Sequence, residues 1–229
     1  MLEKRKRISK KEIKQDTLVT SYYKAYNFFA ENQVRILIGV GVVALIVVAV
    51  VLFANKRASD GKIASTMLAQ ITPVYQSGQF KQAIDGMKET NAAGLKEIVE
   101  KYGSSEAGES AKIFLANAYY FTGNYDAALE QYEDYGGSNE LFKATAKAGE
   151  AAYYEMKKEY EKAAELYKEA AKVTSTNPAN ADYLLRAGIN FMQVGNKEEA
   201  KNLFDTIIKD YKTSPAMQEV EKYLVQVQS

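Results

Sequence analysis

The pattern of apolar and polar positions divides the chain into three parts. Residues 36–54, ILIGVGVVALIVVAVVLFA, contain no charge, no proline and no polar side chain. A helix of this length covers about 28 Å, close to the ~30 Å hydrocarbon core of a bilayer, and it is apolar on every side. The pattern predicts a transmembrane helix over residues 36–55, with a short segment before it and a long helical domain after it.

Residues 1–35 combine a basic tail with an aromatic face. Nine Lys/Arg stand against four Asp/Glu, which predicts a cytoplasmic tail attracted to anionic headgroups of the lipid bilayer; contact with nucleic acid or the ribosome is the alternative. Val19, Tyr22, Tyr26 and Phe29 recur on one helical face, and aromatic residues just before a span are typical of the headgroup layer. We expect an interfacial helix here, or alternatively a partner-binding face within the bilayer.

After the span, one pattern of small and aromatic residues occurs three times. Each copy has a small residue, an aromatic residue three positions later, an alanine nine positions after that and an aromatic residue four positions further on. These repeat-packing residues are Ala116, Tyr119, Ala128 and Tyr132, then Ala151, Tyr154, Ala163 and Tyr167, then Gly188, Phe191, Ala200 and Phe204. Turn positions lie five residues before each alanine, at Gly123, Lys158 and Gly195.

This spacing predicts pairs of antiparallel helices, in which small residues let two backbones approach and aromatic residues fill the gaps. The predicted domain covers residues 56–229, with a degenerate unit at about 59–105, repeats at about 107–139, 140–177 and 179–213, and a cap at 215–228. The predicted fold class is all-α: one N-terminal transmembrane helix followed by an α-solenoid with a C-terminal capping helix.

The spacing resembles the tetratricopeptide repeat, whose L-G-x-x-Y…A-x-x-x-F pattern corresponds here to Leu115-Ala116, Tyr119, Ala128 and Tyr132. Over nearly the whole chain, the basic tail, the aromatic stretch with one span and the segment GLKEIVEKYGSSEAGESAKIFLANAYY resemble the bacterial YfgM-like single-span proteins. The repeat domain of that family is kin to the ancillary subunit of the Sec translocon and to a cell-division coordinator.

The resemblance implies a single-pass protein of the bacterial inner membrane, with a cytoplasmic N-terminus and a periplasmic repeat domain. It implies a scaffold for protein partners: translocon subunits, periplasmic chaperones or nascent clients. An envelope adaptor for cell division or cell-wall synthesis is the alternative, and a receptor with its repeats in the cytoplasm is a third hypothesis.

The composition removes several classes of chemistry. The chain has no Cys and no His, so the commonest metal ligands and general bases are missing, and we expect no enzyme, no cofactor and no metal. Residues 60–229 carry 19 Lys/Arg against 25 Asp/Glu, a balance that disfavours nucleic acid as a partner. In the segment GSSEAGES, we expect Ser104 or Ser105 to cap a helix, and charged pairs such as Glu198-Glu199 to lie in solvent.

The resemblance also supplies candidate partner-groove residues, because tetratricopeptide domains bind ligands along the first helix of each unit. The matching positions are Ile113, Asn117, Tyr120, Ala148, Ala152, Glu155, Leu185, Ile189 and Met192. A Lys/Asn/Arg clamp for a terminal carboxylate is disfavoured, since only Asn117 matches it. The groove is predicted to be apolar and suited to an extended hydrophobic segment or a helix; alternatively, neighbouring repeats or the cap cover some of these residues.

Overall fold

A computed structural model describes residues 10–87 and 90–228, with side chains for residues 19–87 and 90–227. The first nine residues of the predicted basic tail lie outside the described residues. Within the described ranges the chain is helical apart from connections and one short β ladder. It divides into two compact units, residues 1–56 and residues 57–229.

The first unit contains most of helix α1, Lys10–Gln76, which includes the predicted span. The large apolar side chains of residues 37–53 are all more than half exposed, because no other described residue packs over them. Among the described residues, α1 is the one helix that is long and apolar enough to cross a membrane.

The second unit begins within α1 and continues as a series of short helices. Its elements are α2 (Phe80–Asp85), β1 (Gly86–Met87), β2 (Ala92–Ala93), α3 (Leu95–Tyr102), α4 (Glu106–Phe121), α5 (Tyr125–Glu133), α6 (Glu140–Met156), α7 (Tyr160–Lys172), α8 (Asn180–Gln193), α9 (Lys197–Asp210) and α10 (Pro215–Gln228). The strands pair antiparallel, Gly86 with Ala93 and Met87 with Ala92. From α3 onward, each helix packs against the next along the chain, and three-residue connections make α4–α5, α6–α7 and α8–α9 helical hairpins.

Four turns in this unit share one backbone conformation. A residue with left-handed φ follows α1, α4, α6 and α8: Gly78 (φ 77°), Gly123 (φ 81°), Lys158 (φ 64°) and Gly195 (φ 77°). In each turn this residue donates its N–H to the carbonyl three positions back, and the next N–H reaches the carbonyl five positions back. This is the Schellman ending of a helix, which satisfies its last carbonyls and reverses the chain.

Side-chain caps begin α4, α6 and α9, among other helices. The Ser105 hydroxyl accepts a hydrogen bond from the N–H of Gly108 at 3.0 Å, so Ser105 is the cap of α4. The amide oxygens of Asn139 and Asn196 accept equivalent bonds at the starts of α6 and α9. These bonds satisfy backbone donors that have no partner within the helix.

The repeat-packing residues line the interfaces between helices. Ten of the twelve are buried, including all three alanines Ala128, Ala163 and Ala200. Tyr119 and Tyr154 are half-buried; the Nζ atom of Lys162 lies 3.5 Å from the ring centre of Tyr154. A methyl group on Gly188 would overlap the ring of Phe204, so the small residue at this position is required by close packing.

An ion cluster with two buried members, Lys112 and Glu109, and the exposed Asp134 joins α4 to the connection after α5. The Nζ atom of Lys112, a residue only 7% exposed, contacts Glu109 Oε1 at 3.1 Å and Asp134 Oδ2 at 2.8 Å. Glu109 Oε2 in turn accepts a hydrogen bond from the N–H of Gly136 at 2.8 Å. Burial lowers the pKa of Lys112, but hydrogen bonds to Asp134 and Glu109 more than offset it, and the pKa is raised overall.

The left-handed turns predict opposite effects of two substitutions. Gly123→Ala should destabilise residues 57–229 by about 1 kcal/mol, because a side chain with a Cβ disfavours positive φ. No steric clash adds to this cost, since a Cβ at residue 123 meets no neighbouring atom. Lys158→Gly should stabilise the same fragment by up to about 1 kcal/mol, because it removes that conformational cost. Urea unfolding of the fragment, which contains all three hydrophobic clusters of the structure, measures both. Effects of the same sign would contradict the shared role of the two positions.

Candidate functional site

The nine predicted groove residues lie on α4, α6 and α8, the first helices of the three hairpins. Ile113 and Leu185 are 1% and 6% exposed, as expected if neighbouring repeats or the cap cover some of these residues; partner contact at the nine positions stays a prediction. Ile113 packs in a cluster with Ala116, Ala128 and Tyr132, and Leu185 belongs to the cluster that extends to α10. The other seven are half-buried: Asn117, Tyr120, Ala148, Ala152, Glu155, Ile189 and Met192.

Tyr132 contributes both to the core and to this surface. Tyr132 is only 5% exposed and belongs to the hydrophobic cluster shared by α4, α5 and α6. Its hydroxyl donates to Asn117 Oδ1 at 2.6 Å. Burial raises the pKa of Tyr75, and a side-chain hydrogen bond with Asn117 partly offsets this rise. The Asn117 amide therefore connects tyrosines from α1 and α5.

Tyr167 occupies the equivalent position in the second hairpin and contacts a charged pair. Its hydroxyl donates to Glu155 Oε2 at 2.9 Å. The same carboxylate oxygen lies 3.6 Å from Arg186 Nη1, and the Arg186 guanidinium is 5.9 Å from the centre of the Tyr167 ring. Because Arg186 is on α8 and Glu155 on α6, this arrangement connects the second hairpin to the third.

Burial raises the pKa of Tyr132 above its usual range, and the phenols of Tyr75, Tyr120 and Tyr183 add to this effect. Those three tyrosines come from α1, α4 and α8. Burial lowers the pKa of Arg186, but Tyr167, Glu155 and, to a smaller extent, Tyr120 raise it, and the pKa is raised overall. We define the tyrosine face as Tyr75, Asn117, Tyr120, Tyr132, Glu155, Tyr167, Tyr183 and Arg186.

One part of this surface is apolar and another part is polar. Ala148, Ala152, Ile189 and Met192 are partly exposed and pack against the hydrophobic cluster of α6–α10, so this part is apolar. The tyrosine face instead presents hydroxyls, an amide and an ion pair. Hydroxyls and amides can each donate and accept hydrogen bonds, so the combined surface can bind a segment that has both apolar side chains and free backbone groups.

Sequence reasoning missed Tyr75, Tyr183 and Arg186 as members of the surface. One signal was available: Tyr183, Arg186 and the predicted Ile189 are spaced by three and therefore lie on one side of α8. Within the described residues, no group of three or more His, Cys, Asp or Glu side chains is placed to hold a metal ion.

Comparisons of the chain with family models, with curated proteins and with solved structures found no match. The tetratricopeptide and YfgM-like assignments therefore rest on the resemblance in sequence.

The buried tyrosines predict a loss of stability at alkaline pH. Burial raises the pKa of both Tyr132 and Tyr167 above the ordinary 10.0, so above about pH 10 only the unfolded state releases these protons. Stability should be unaffected by them below pH 10 and should fall as pH rises further, by roughly 1.4 kcal/mol per pH unit for each tyrosine.

Urea unfolding of residues 57–229 between pH 8 and pH 11.5 measures this slope. Tyr132→Phe and Tyr167→Phe should each make it shallower, and the double variant shallower still, after correction for their stabilities at pH 8. An unchanged slope in the double variant would show that other groups cause the alkaline loss.

Proposed function

We propose that the chain is a membrane-anchored tetratricopeptide-repeat scaffold that binds protein partners through the tyrosine face. The observation that carries this proposal is the set of aligned residues on α4, α6 and α8. Asn117 and Glu155 of this set accept hydrogen bonds from tyrosines of α5 and α7, and Ile189 and Met192 are partly exposed. The repeat assignment is supported by four turns of one geometry, at residues 78, 123, 158 and 195, and by helices that pack in chain order.

The tyrosine face is suited to contact with a polypeptide. Tyrosine offers a large apolar ring and a polar tip while losing little conformational entropy, because it has few rotatable bonds. The buried phenols of Tyr132 and Tyr167 fix the partly exposed side chains of Asn117 and Glu155 by hydrogen bonds, and fixed groups lose less entropy on binding. The apolar part beside them suits hydrophobic side chains of an extended segment or a helix.

The proposed location is the periplasmic face of a bacterial inner membrane, beside the Sec translocon and periplasmic chaperones. The support is the apolar stretch of α1, the basic composition of residues 1–35 and the YfgM-like resemblance. Nascent or partly folded chains expose both apolar side chains and unpaired backbone groups, and this combination matches the surface described above.

Membrane orientation can be tested directly, because the chain has no cysteine and a single introduced thiol gives an unambiguous signal. Glu161→Cys, at an exposed position of α7, should react with a membrane-impermeant maleimide added to spheroplasts. Ser9→Cys, in the basic tail, should react only after the membrane is permeabilised. The reverse pattern would place the repeats in the cytoplasm and favour an import or signalling receptor.

Partner binding predicts position-specific photo-crosslinking in living cells. A photoreactive phenylalanine analogue at Tyr120 or Ile189 should trap translocon subunits, periplasmic chaperones or nascent clients, because both positions lie on the proposed surface. The same analogue at Glu161, on the second helix of its hairpin, is the control and should give at most a tenth of the product. Equal yields at all three positions would contradict binding through this surface.

A further inference from the structure

Helix α1 presents a stripe with two tyrosines that no other described side chain covers. Between residues 19 and 37 the stripe comprises Val19, Tyr23, Tyr26, Ala30, Gln33 and Leu37, and all six are exposed. Lys24, Glu31 and Arg35 lie on the opposite side of the helix, since each residue advances about 100° around the axis. Residues 19–35 are therefore amphipathic apart from Phe28, and no residue with a described side chain covers their apolar side.

The headgroup layer of a bilayer does not reach most of this stripe. At ~1.5 Å per residue, Tyr26 and Val19 lie roughly 15 Å and 25 Å from Ile36, the first residue of the apolar run. The headgroup layer on each side is only about 5–8 Å thick. For residues 19–35 to lie flat on the membrane, the helix would have to break near residue 35, but α1 is continuous from Lys10 through the span and has no proline or glycine between residues 19 and 38.

The spacing of the stripe identifies a different occupant. Its members are separated alternately by four and three residues, and positions 40, 44, 47 and 51, which are Val, Ala, Val and Val, continue the same alternation through the span. A repeat of 3.5 residues is the pattern of two helices that supercoil around each other. Charged residues are absent from it, and its one polar member, Gln33, can pair with the same residue of an identical helix.

We propose that α1 forms a parallel coiled coil with α1 of a second copy of this chain, through the stripe of residues 19–37 and its continuation to residue 51. This proposal rests on the proposed membrane anchoring, because two copies inserted in one direction have parallel helices. An aromatic side chain offers about 150–250 Å² for burial. Tyr23 and Tyr26 of the stripe, and Tyr22 and Phe29 along its edge, are each about 60% exposed. These four supply roughly half of the ~800 Å² that each partner buries in a standard interface.

Cysteine crosslinking of the full-length chain in native membranes tests the pairing, again without background from natural thiols. Tyr26→Cys and Ala30→Cys should give disulfide-linked dimers on oxidation with copper phenanthroline. Phe28→Cys is the matched control, because Phe28 is an aromatic residue as exposed as Tyr26, at 60% and 61%, but lies about 160° away around the helix. We expect at least tenfold less dimer from the control.

Two differently tagged copies, expressed together, identify the partner: purification through one tag should recover the other tag in the crosslinked product. Three outcomes would each overturn the proposal. The first is an equal yield of dimer at residues 26, 28 and 30, and the second is no dimer at residues 26 and 30 despite normal membrane content. The third is a crosslinked product that lacks the second tag. The second outcome would favour lipid as the occupant, and the third a different protein. A cytoplasmic repeat domain would leave the crosslinking pattern unchanged, so this test is independent of the orientation assay.

Discussion

Close packing of an aromatic ring against a glycine controls the spacing of the hairpins. A Cβ on Gly188 of α8 would overlap the ring of Phe204 in α9, and a Cβ on Gly149 of α6 would overlap the ring of Tyr132 in α5. The first contact closes a hairpin, and the second joins one hairpin to the next. Because interiors are packed nearly as densely as crystals, a larger residue at either glycine would force the helices apart.

The same packing explains why the surface changes along the domain. The second helix of each hairpin has an aromatic residue at the equivalent position, Tyr132, Tyr167 and Phe204, and all three rings are buried. Two of them carry a hydroxyl that extends to Asn117 or Glu155. Phe204 has none, and its ring instead stacks with Tyr223 of the last helix at 6.0 Å between centroids. Phe204 therefore supplies no hydroxyl on the third hairpin, where Arg186 instead contacts Glu155 through its charge and Ile189 and Met192 are apolar.

Local features of the fold could be predicted from the sequence, and features that depend on distant contacts could not. Helix periodicity, the left-handed turn at Gly123 and the cap at Ser105 all arise from neighbouring residues. Burial of Ile113 and the bond from Tyr132 to Asn117 depend on how α4 meets α5 and α6. Lys112 looks like an ordinary surface lysine in sequence, because Asp134, its second acidic partner, is 22 residues away.

Pairing of α1 would change the apparent affinity with which the proposed tyrosine face binds a partner. Each paired assembly would carry two identical faces, so a partner that engages one face would meet the second as an intramolecular event. Its apparent affinity could then exceed that of a single face by about 10²–10⁴ without any new contact, provided that the partner offers two binding segments within reach. Nascent chains and oligomeric chaperones offer repeated segments, whereas a small monomeric ligand offers one. The anchor would thereby select for extended or multivalent partners, and the tyrosine face itself would need only modest affinity.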